Sequence, residues 1–311
     1  MKNQNTDAHS KKTREIYQKQ HEKIAKDSVT LDRIRKIYCA EEFQLPGGET
    51  WFEGKSCADI GYGNIGAFLS RLFEWDCQSA IAVDVDEEWI PLLKKSLLNQ
   101  GVEKDWCEMR SGSVLDIPIE SNSIDFVSIN GVLVHLKNMG EIIEGFNEGA
   151  RICKKGGYFY TLYGPCGGLM EGVIMPAIRN HYHTTPEFKE FIDGIKVEDI
   201  HGLIDKIVKD AKQHVDQNLD GDCLKELFGI DFCVFLQNYI QPPSWLSNEF
   251  TPQVVEGLYK ANGFTNVKRV ERYVKRSDLR KYLAPLHYDR DYWISKILYG
   301  QGFVRYIGKK A

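Results

Sequence analysis

The segment Asp59-Ile-Gly61-Tyr-Gly63-Asn-Ile-Gly66 joins a short apolar run, SCADIG, to a stretch of helical periodicity, NIGAFLSRLFEW. Glycines at such a junction let the backbone turn sharply and approach a ligand with no Cβ in the way. The same alternation continues beyond it. SAIAVDV precedes the helical EEWIPLLKKSLLNQ, and WCEMRSGSV and IDFVSI are two more strand-like runs. MGEIIEGFNEGARI then reads as a helix ended by Lys154, Lys155, Gly156 and Gly157, and YFYTLYG closes the series. Strands alternating with helices predict an α/β fold, a doubly wound, Rossmann-like, mostly parallel sheet with helices on both faces. Its ligand is expected at the carboxyl ends of the strands.

The flanks differ from this centre. Residues 1 to about 28 are polar, but Ile16, Tyr17, Ile24 and Ala25 recur at near-helical spacing, which predicts a tail leading into one amphipathic helix. A second short helix is expected from Leu31 to Phe43. After Gly164 no comparable strand occurs up to about residue 250, whereas Phe188, Phe191, Ile192, Ile195, Leu203, Ile204, Ile207 and Val208 keep helical spacing. TPQVVEGLYKANGF reads as a capped helix, followed by the strand-like NVKRVERYV and, last, GFVRYIGKK. The expected organisation is therefore an N-terminal helical segment at 1–50, a core at 51–166 and 251–311, and a helical cap inserted at 167–250.

Charge and cysteine usage narrow the function classes. Forty basic against 44 acidic residues give a net charge of −4, too balanced for an obligate nucleic-acid binder that relies on broad phosphate neutralisation. Residues 251–311 nevertheless hold 13 basic against 5 acidic residues. The start lacks a signal-like apolar core, and no apolar stretch approaches the roughly 18 residues of a membrane helix, so the expected location is cytoplasmic, with no membrane partner. The eight cysteines include no CxxC pair and fit free buried thiols in a reducing compartment. His181 and His183 have no carboxylate–histidine framework beside them, and no metal is expected.

The spacing G-x-G-x-x-G matches a dinucleotide fingerprint, and Asp84, ending the second strand, sits where a carboxylate would bond ribose hydroxyls. Alone, this separates neither a nicotinamide from another adenosyl cofactor nor a ligand loop from a turn that packs a helix on a strand. Asp59 is more telling, because two positions before the first glycine it would repel a pyrophosphate and welcome a cation. MRSGSVLDIPIESNSIDFVSINGVLVHL then resembles the third and fourth strands of class I S-adenosylmethionine-dependent methyltransferases, with GSVLDIPI at the place of their adenine loop. FNEGARICKKGGYFYTLYG resembles their fourth helix, lysine–glycine turn and fifth strand, and Gly263-Phe264 their late helix-to-strand turn.

The resemblance covers residues 56–164 and implies S-adenosyl-L-methionine as cofactor, with S-adenosyl-L-homocysteine as product. Carried across by motif, Gly61 and Gly63 would approach the methionine part and Asp59 would lie beneath its charged groups. Asp84, with Val85 beside it, would meet the ribose, Ser113 and Val114 would flank the adenine, and Asn130 would face the methionyl end. One departure is that Ile65 stands where the family's third glycine is usual, with Gly66 one place later. Asp86 reads as a first-turn helix residue placed on the dipole.

Methyl transfer from a sulfonium is an in-line displacement in which orientation supplies most of the catalysis, so a base is needed only where the acceptor loses a proton. His135, in GVLVHL after the fourth strand, is either that base or a residue that shapes the pocket. Tyr17 and His21, one helical turn apart, either close over the cofactor, as such helices do in related small-molecule methyltransferases, or lie on a solvated face. In the cap, Tyr182, Phe235, Tyr239 and Trp245 would exclude water and define the acceptor, and Arg179 would hold a carboxylate or phosphate unless it is a surface residue. Tyr163 and Cys166, at the carboxyl end of the fifth strand, fall on the acceptor side. The run PCGG invites comparison with cysteine-dependent cytosine methyltransferases, but NGVLVHL is not their motif, which leaves Cys166 as a residue of the pocket rim.

These features predict a methyltransferase acting on a small-molecule acceptor through an oxygen, nitrogen, sulfur or carbon nucleophile, with homodimerisation left open. Three alternatives stand beside it: an RNA or protein methyltransferase docking through the basic C-terminal segment, an NAD(P)-dependent oxidoreductase, and a non-catalytic cofactor-binding module.

Overall fold

The computed structural model describes residues 4–26, 31, 32, 34, 35, 38–63, 65–195, 197–211, 213, 239–270 and 293–311. Its centre is a seven-stranded sheet, and the strands in chain order are β1 (Ser56–Ile60), β2 (Ser79–Asp84), β3 (Cys107–Ser111), β4 (Ile124–Asn130), β5 (Cys153–Cys166), β6 (Phe264–Arg269) and β7 (Gly302–Lys310). They lie in the order β3-β2-β1-β4-β5-β7-β6. The first five run parallel, and β7 inserts antiparallel between β5 and β6. The α/β reading therefore holds, down to the last strand GFVRYIGKK.

The flanking helices are α1 (Gln4–Lys26), α2 (Ala67–Glu74), α3 (Trp89–Asn99), α4 (Met139–Ile152), α5 (Met175–Thr184), α6 (Pro186–Gly194), α7 (Val197–Ala211), α8 (Pro252–Ala261) and α9 (Trp293–Tyr299). The Asn138 side chain accepts from Glu141 N at the start of α4, and Thr251 does the same for Val254 N at the start of α8, so local capping chemistry sets where both begin. β1 and β4 are buried on both faces, as a central parallel strand requires. Phe43, Phe52, Trp75, Phe126 and Tyr160 fill one side of the sheet, and Phe146, Phe159, Tyr259 and Phe264 fill the other.

The helix expected over Leu31–Phe43 is not continuous. Leu31, Asp32, Ile34 and Arg35 are helical, Cys39 is extended (φ −130°, ψ 125°), and Ala40–Phe43 winds into a short 3-10 turn. The break serves packing, because it seats Phe43 among the sheet aromatics and points Glu42 at Arg305 of β7. That buried ion pair measures 2.7 Å, and Arg305 also donates to the Tyr160 hydroxyl. Between β5 and α8 the described elements are helical, with a π-helical turn over Met170–Ile174 leading into α5. The predicted cap residue Phe235 and the end of NVKRVERYV lie outside the described residues.

Candidate active site

The glycine loop leaves β1 with Gly61 at φ 79°, Gly63 at φ 60° and Gly66 at φ 59°, the left-handed region that glycine alone enters without strain. Gly61 N donates to Val83 O at 2.7 Å, which ties the loop to β2. A Cβ on Gly61 would come within 2.2 Å of Val132 Cγ2, so the close approach at this glycine is to the segment after β4. A Cβ on Gly63 would stand 2.4 Å from His21 Cε1, which puts the His21 ring of α1 directly over the loop.

Asp84 Oδ2 accepts from Gly63 N at 3.1 Å, and Asp84 O accepts from Gly112 N at 2.8 Å. One residue thus brings the glycine loop and the Ser113–Val114 loop together at the end of β2. The Ser113 hydroxyl accepts from Leu115 N, and Val114 is buried beside Gly145 of α4. Val85 is 44% exposed and turns outward at this rim. Asn130 ends β4 and donates to the Tyr38 hydroxyl at 2.9 Å. Asp86 lies three residues before α3 rather than in its first turn, where its Oδ1 accepts from Glu88 N, and it pairs with Arg14 of α1 at 3.7 Å.

Asp59 and Asp84 are both buried, at 6% exposure. Burial lifts the Asp59 carboxyl to about 7, with the Ser128 hydroxyl pulling it back and Asp84 adding like-charge repulsion. Burial likewise lifts Asp84 to about 6 against the pull of the Gly63, Asp86 and Val85 amides. Two desolvated carboxyls that no described cation neutralises suit a ligand that brings positive charge and hydroxyl donors.

The three predicted catalytic side chains come together at the carboxyl ends of the strands. The Tyr17 hydroxyl lies 2.6 Å from His135 Nε2, and the Tyr17 and His21 rings are 5.8 Å apart. His135 Nδ1 faces the Ser244 carbonyl at 3.3 Å. A carbonyl only accepts, so Nδ1 carries the proton and the Nε2 lone pair receives the Tyr17 O–H. Desolvation lowers both His135 and His21 to about 4, so both rings are neutral at pH 7, and it raises Tyr17 far above its ordinary value. His9 Nε2 and the Ser244 hydroxyl both donate to the His135 carbonyl, at 2.9 and 2.7 Å. No local sequence signal marks His9 or Ser244, which meet His135 across 126 and 109 residues.

The acceptor-side residues divide differently. Arg179 donates to the carbonyls of Tyr239, Ile240 and Pro242, so its guanidinium straps the segment that precedes Trp245, and burial lowers it to about 10. Tyr239 packs edge-on against Trp245 at 4.3 Å, and Trp245 lies 5.3 Å from the His135 ring. Tyr163 is fully buried and stacked on Phe250 at 4.0 Å, a packing position that leaves no face for an acceptor. Cys166 is buried at the end of β5 rather than on a rim, and its thiol, raised by burial, points to Asn248 O. A cavity of about 400 Å³ opens between α5 and the Trp245 segment, lined among others by Glu171, Arg179, His183, Trp245 and Asn248. Among the described residues no group of three or more histidines, cysteines or carboxylates is placed to hold a metal, and no helix is long and apolar enough to cross a membrane.

A family model described as a methyltransferase domain matches residues 58–161. Over those residues the chain is similar to a methyltransferase domain. The match begins inside β1 and ends inside β5, so it takes in the glycine loop, Asp84, the Ser113 loop and Asn130. Solved structures resemble the chain more loosely. An O-methyltransferase family protein from Burkholderia thailandensis is 11% identical, with a TM-score of 0.47, over 91% of this chain and 55% of that one. A candidate S-adenosyl-L-methionine-dependent methyltransferase from Methanococcus maripaludis is 24% identical, with a TM-score of 0.39, over 61% of this chain and 84% of that one. YcgJ from Bacillus subtilis is 13% identical, with a TM-score of 0.41, over 87% and 98%. The chain thus spans about half the length of the Burkholderia protein. No curated protein matches the sequence.

S-adenosylmethionine is the cofactor of such a methyltransferase domain, and the residues present fit it. The cradle of positive-φ glycines admits close backbone approach, and the two buried carboxyls lack the positive partner that a sulfonium and an ammonium supply. A pyrophosphate over the loop would instead meet the buried Asp59 carboxyl, which argues against the nicotinamide alternative.

Proposed function

We propose that the chain is an S-adenosylmethionine-dependent methyltransferase whose acceptor is a small molecule, with α1 as a cover over the cofactor and residues 167–250 as an acceptor-binding cap. The observation that carries this reading is the Tyr17–His135 contact, which closes α1 across the carboxyl ends of β1 and β4. A site roofed in this way takes a molecule small enough to be enclosed. Within the described part of the basic C-terminal segment, Lys268, Arg269 and Lys310 donate to backbone carbonyls, and Arg305 is buried against Glu42, so these four side chains serve the fold.

When bound, the cofactor supplies an electrophilic methyl group on its sulfonium. Asp84 is assigned to the ribose hydroxyls, Asp59 to the positive end, and the Gly61 and Gly63 backbone to the methionine part. Asn130 is assigned to the methionyl end, and Ser113 and Val114 to the adenine. Tyr17 then takes the acceptor's proton as its own passes to His135 Nε2. The Ser244 carbonyl, already accepting Nδ1–H, stabilises the imidazolium that forms. His21 seals the loop beside Trp89, 6.0 Å away.

Incubation with methyl-labelled cofactor and a fractionated cell extract tests the acceptor class. Label in the low-mass fraction is the expected outcome, whereas label in RNA or protein would overturn the small-molecule reading. No turnover with intact cofactor affinity would favour a binding module.

A further inference from the structure

The cavity beside α5 contains chemistry that the methyl-transfer residues do not use. Glu171, in the π-helical turn over Met170–Ile174, is 5% exposed, and its Oε2 accepts no hydrogen bond from a described residue. The Trp245 indole N–H, lining the same cavity, donates none to a described residue either. A buried carboxylate oxygen left without a donor costs free energy, and π-turns of this kind recur at functional sites. Asn248 fixes the wall by donating Nδ2 to Glu171 O and accepting from Gly167 N.

We propose that this cavity is a subsite for a cationic nitrogen of the acceptor, an ammonium or alkylammonium group held by the Glu171 carboxylate against the Trp245 indole. The subsite rests on the methyltransferase reading only in calling its occupant the acceptor. A buried carboxylate holds an ammonium group by charge-assisted hydrogen bonds. Arg179, which also lines the cavity, spends its hydrogen-bond donors on the carbonyls of Tyr239, Ile240 and Pro242, which leaves Glu171 as the lining carboxylate with an oxygen open to a ligand. Burial lifts the Glu171 carboxyl to about 7, with the indole close enough to pull it back. A cation at that place restores its charge. Trp245 borders both this cavity and the His135 ring, so the subsite adjoins the Tyr17–His135 pair. An acceptor anchored there by its cationic end is oriented for the displacement.

Calorimetric titration of the full chain with butylammonium, with its uncharged isostere butan-1-ol, and with butyrate tests the subsite directly. Butylammonium is expected to bind at least about ten-fold more tightly than the alcohol, the worth of one charge-assisted hydrogen bond. Glu171→Gln is expected to abolish that preference. Equal affinity for ammonium and alcohol in the native protein, tighter binding of butyrate, or a preference that survives in Glu171→Gln would each overturn the proposal. The native-protein comparison decides even if the variant fails to fold. Titration of S-adenosylhomocysteine into the same samples separates the two readings. Tight homocysteine-cofactor binding without ammonium preference refutes the subsite alone, and ammonium preference without cofactor binding refutes the methyltransferase reading alone.

Discussion

At the residue scale the two buried carboxyls, Asp59 and Asp84, make the clearest commitments. Both sit above the ordinary aspartate value of about 3.9, at about 7 and about 6. An acid whose folded value is raised stabilises the fold below its unfolded value and loses that contribution as pH rises through the folded one. The ligand-free protein therefore gives up stability between about pH 4 and 7, and a ligand bearing positive charge restores it. Affinity for S-adenosylhomocysteine is expected to tighten as pH rises from 5 to 8 and to level off above about 7, which calorimetry across that range would show. A flat profile would remove both carboxyls from the cofactor site. Asp84→Asn should weaken binding by about 1–3 kcal/mol, since it removes a charged acceptor. His135 gives a separate signature. Its value of about 4 means that turnover should be constant above about pH 5 and fall as pH drops through 4, where protonation of Nε2 breaks the hydrogen bond from Tyr17. His135→Gln and Tyr17→Phe are each expected to lower turnover by about 10²–10⁴-fold. Near-native turnover in both would make the pair structural.

At the element scale, the glycine loop and the strap on the cap are separable. Gly61→Ala puts a methyl group into Val132 at a positive φ and is expected to cost about 1–3 kcal/mol of stability. The companion Val132→Ala change should recover part of that loss in a denaturant melt, and no recovery would mean that the strain lies in φ alone. Arg179→Met frees three carbonyls over residues 239–242, so the acceptor's KM should rise while the cofactor's dissociation constant holds. A change confined to the cofactor would move the strap's role to the other ligand. Which elements were legible follows from how local their causes are. The spans of α4 and β7 are written in adjacent residues, a capping asparagine and an alternating apolar run, and so are Asp84 and the glycines of the loop. The extended Cys39 was not legible, because burial of Phe43 and the Glu42–Arg305 pair, 263 residues apart, overrides the helical periodicity around it. Tyr163 misleads for the same reason. Its position after the fifth strand suggests a site residue, but Phe250 covers it from the far end of the cap.

At the scale of the whole molecule, α1 is the element on which access depends. Its sequence is strongly polar, and its described residues make discrete contacts: Tyr17 to His135, His9 to the His135 carbonyl, Arg14 to Asp86, and His21 over Gly63. Contacts of this polar kind open at low free-energy cost. Such opening is what exchange of an enclosed cofactor requires. A ligand that binds only beneath the closed helix stabilises closure by mass action, so cleavage of α1 by trypsin at Lys11, Lys12 and Arg14 should slow by about the factor 1 + [ligand]/Kd when S-adenosylhomocysteine is present. Arg14→Ala removes the tie to Asp86 and should speed both cleavage at the two lysines and cofactor release. Stopped-flow displacement would measure the release. If saturating S-adenosylhomocysteine leaves the cleavage rate unchanged, α1 does not cover the cofactor. Tyr17 would then act, if at all, from a helix that stays closed throughout turnover.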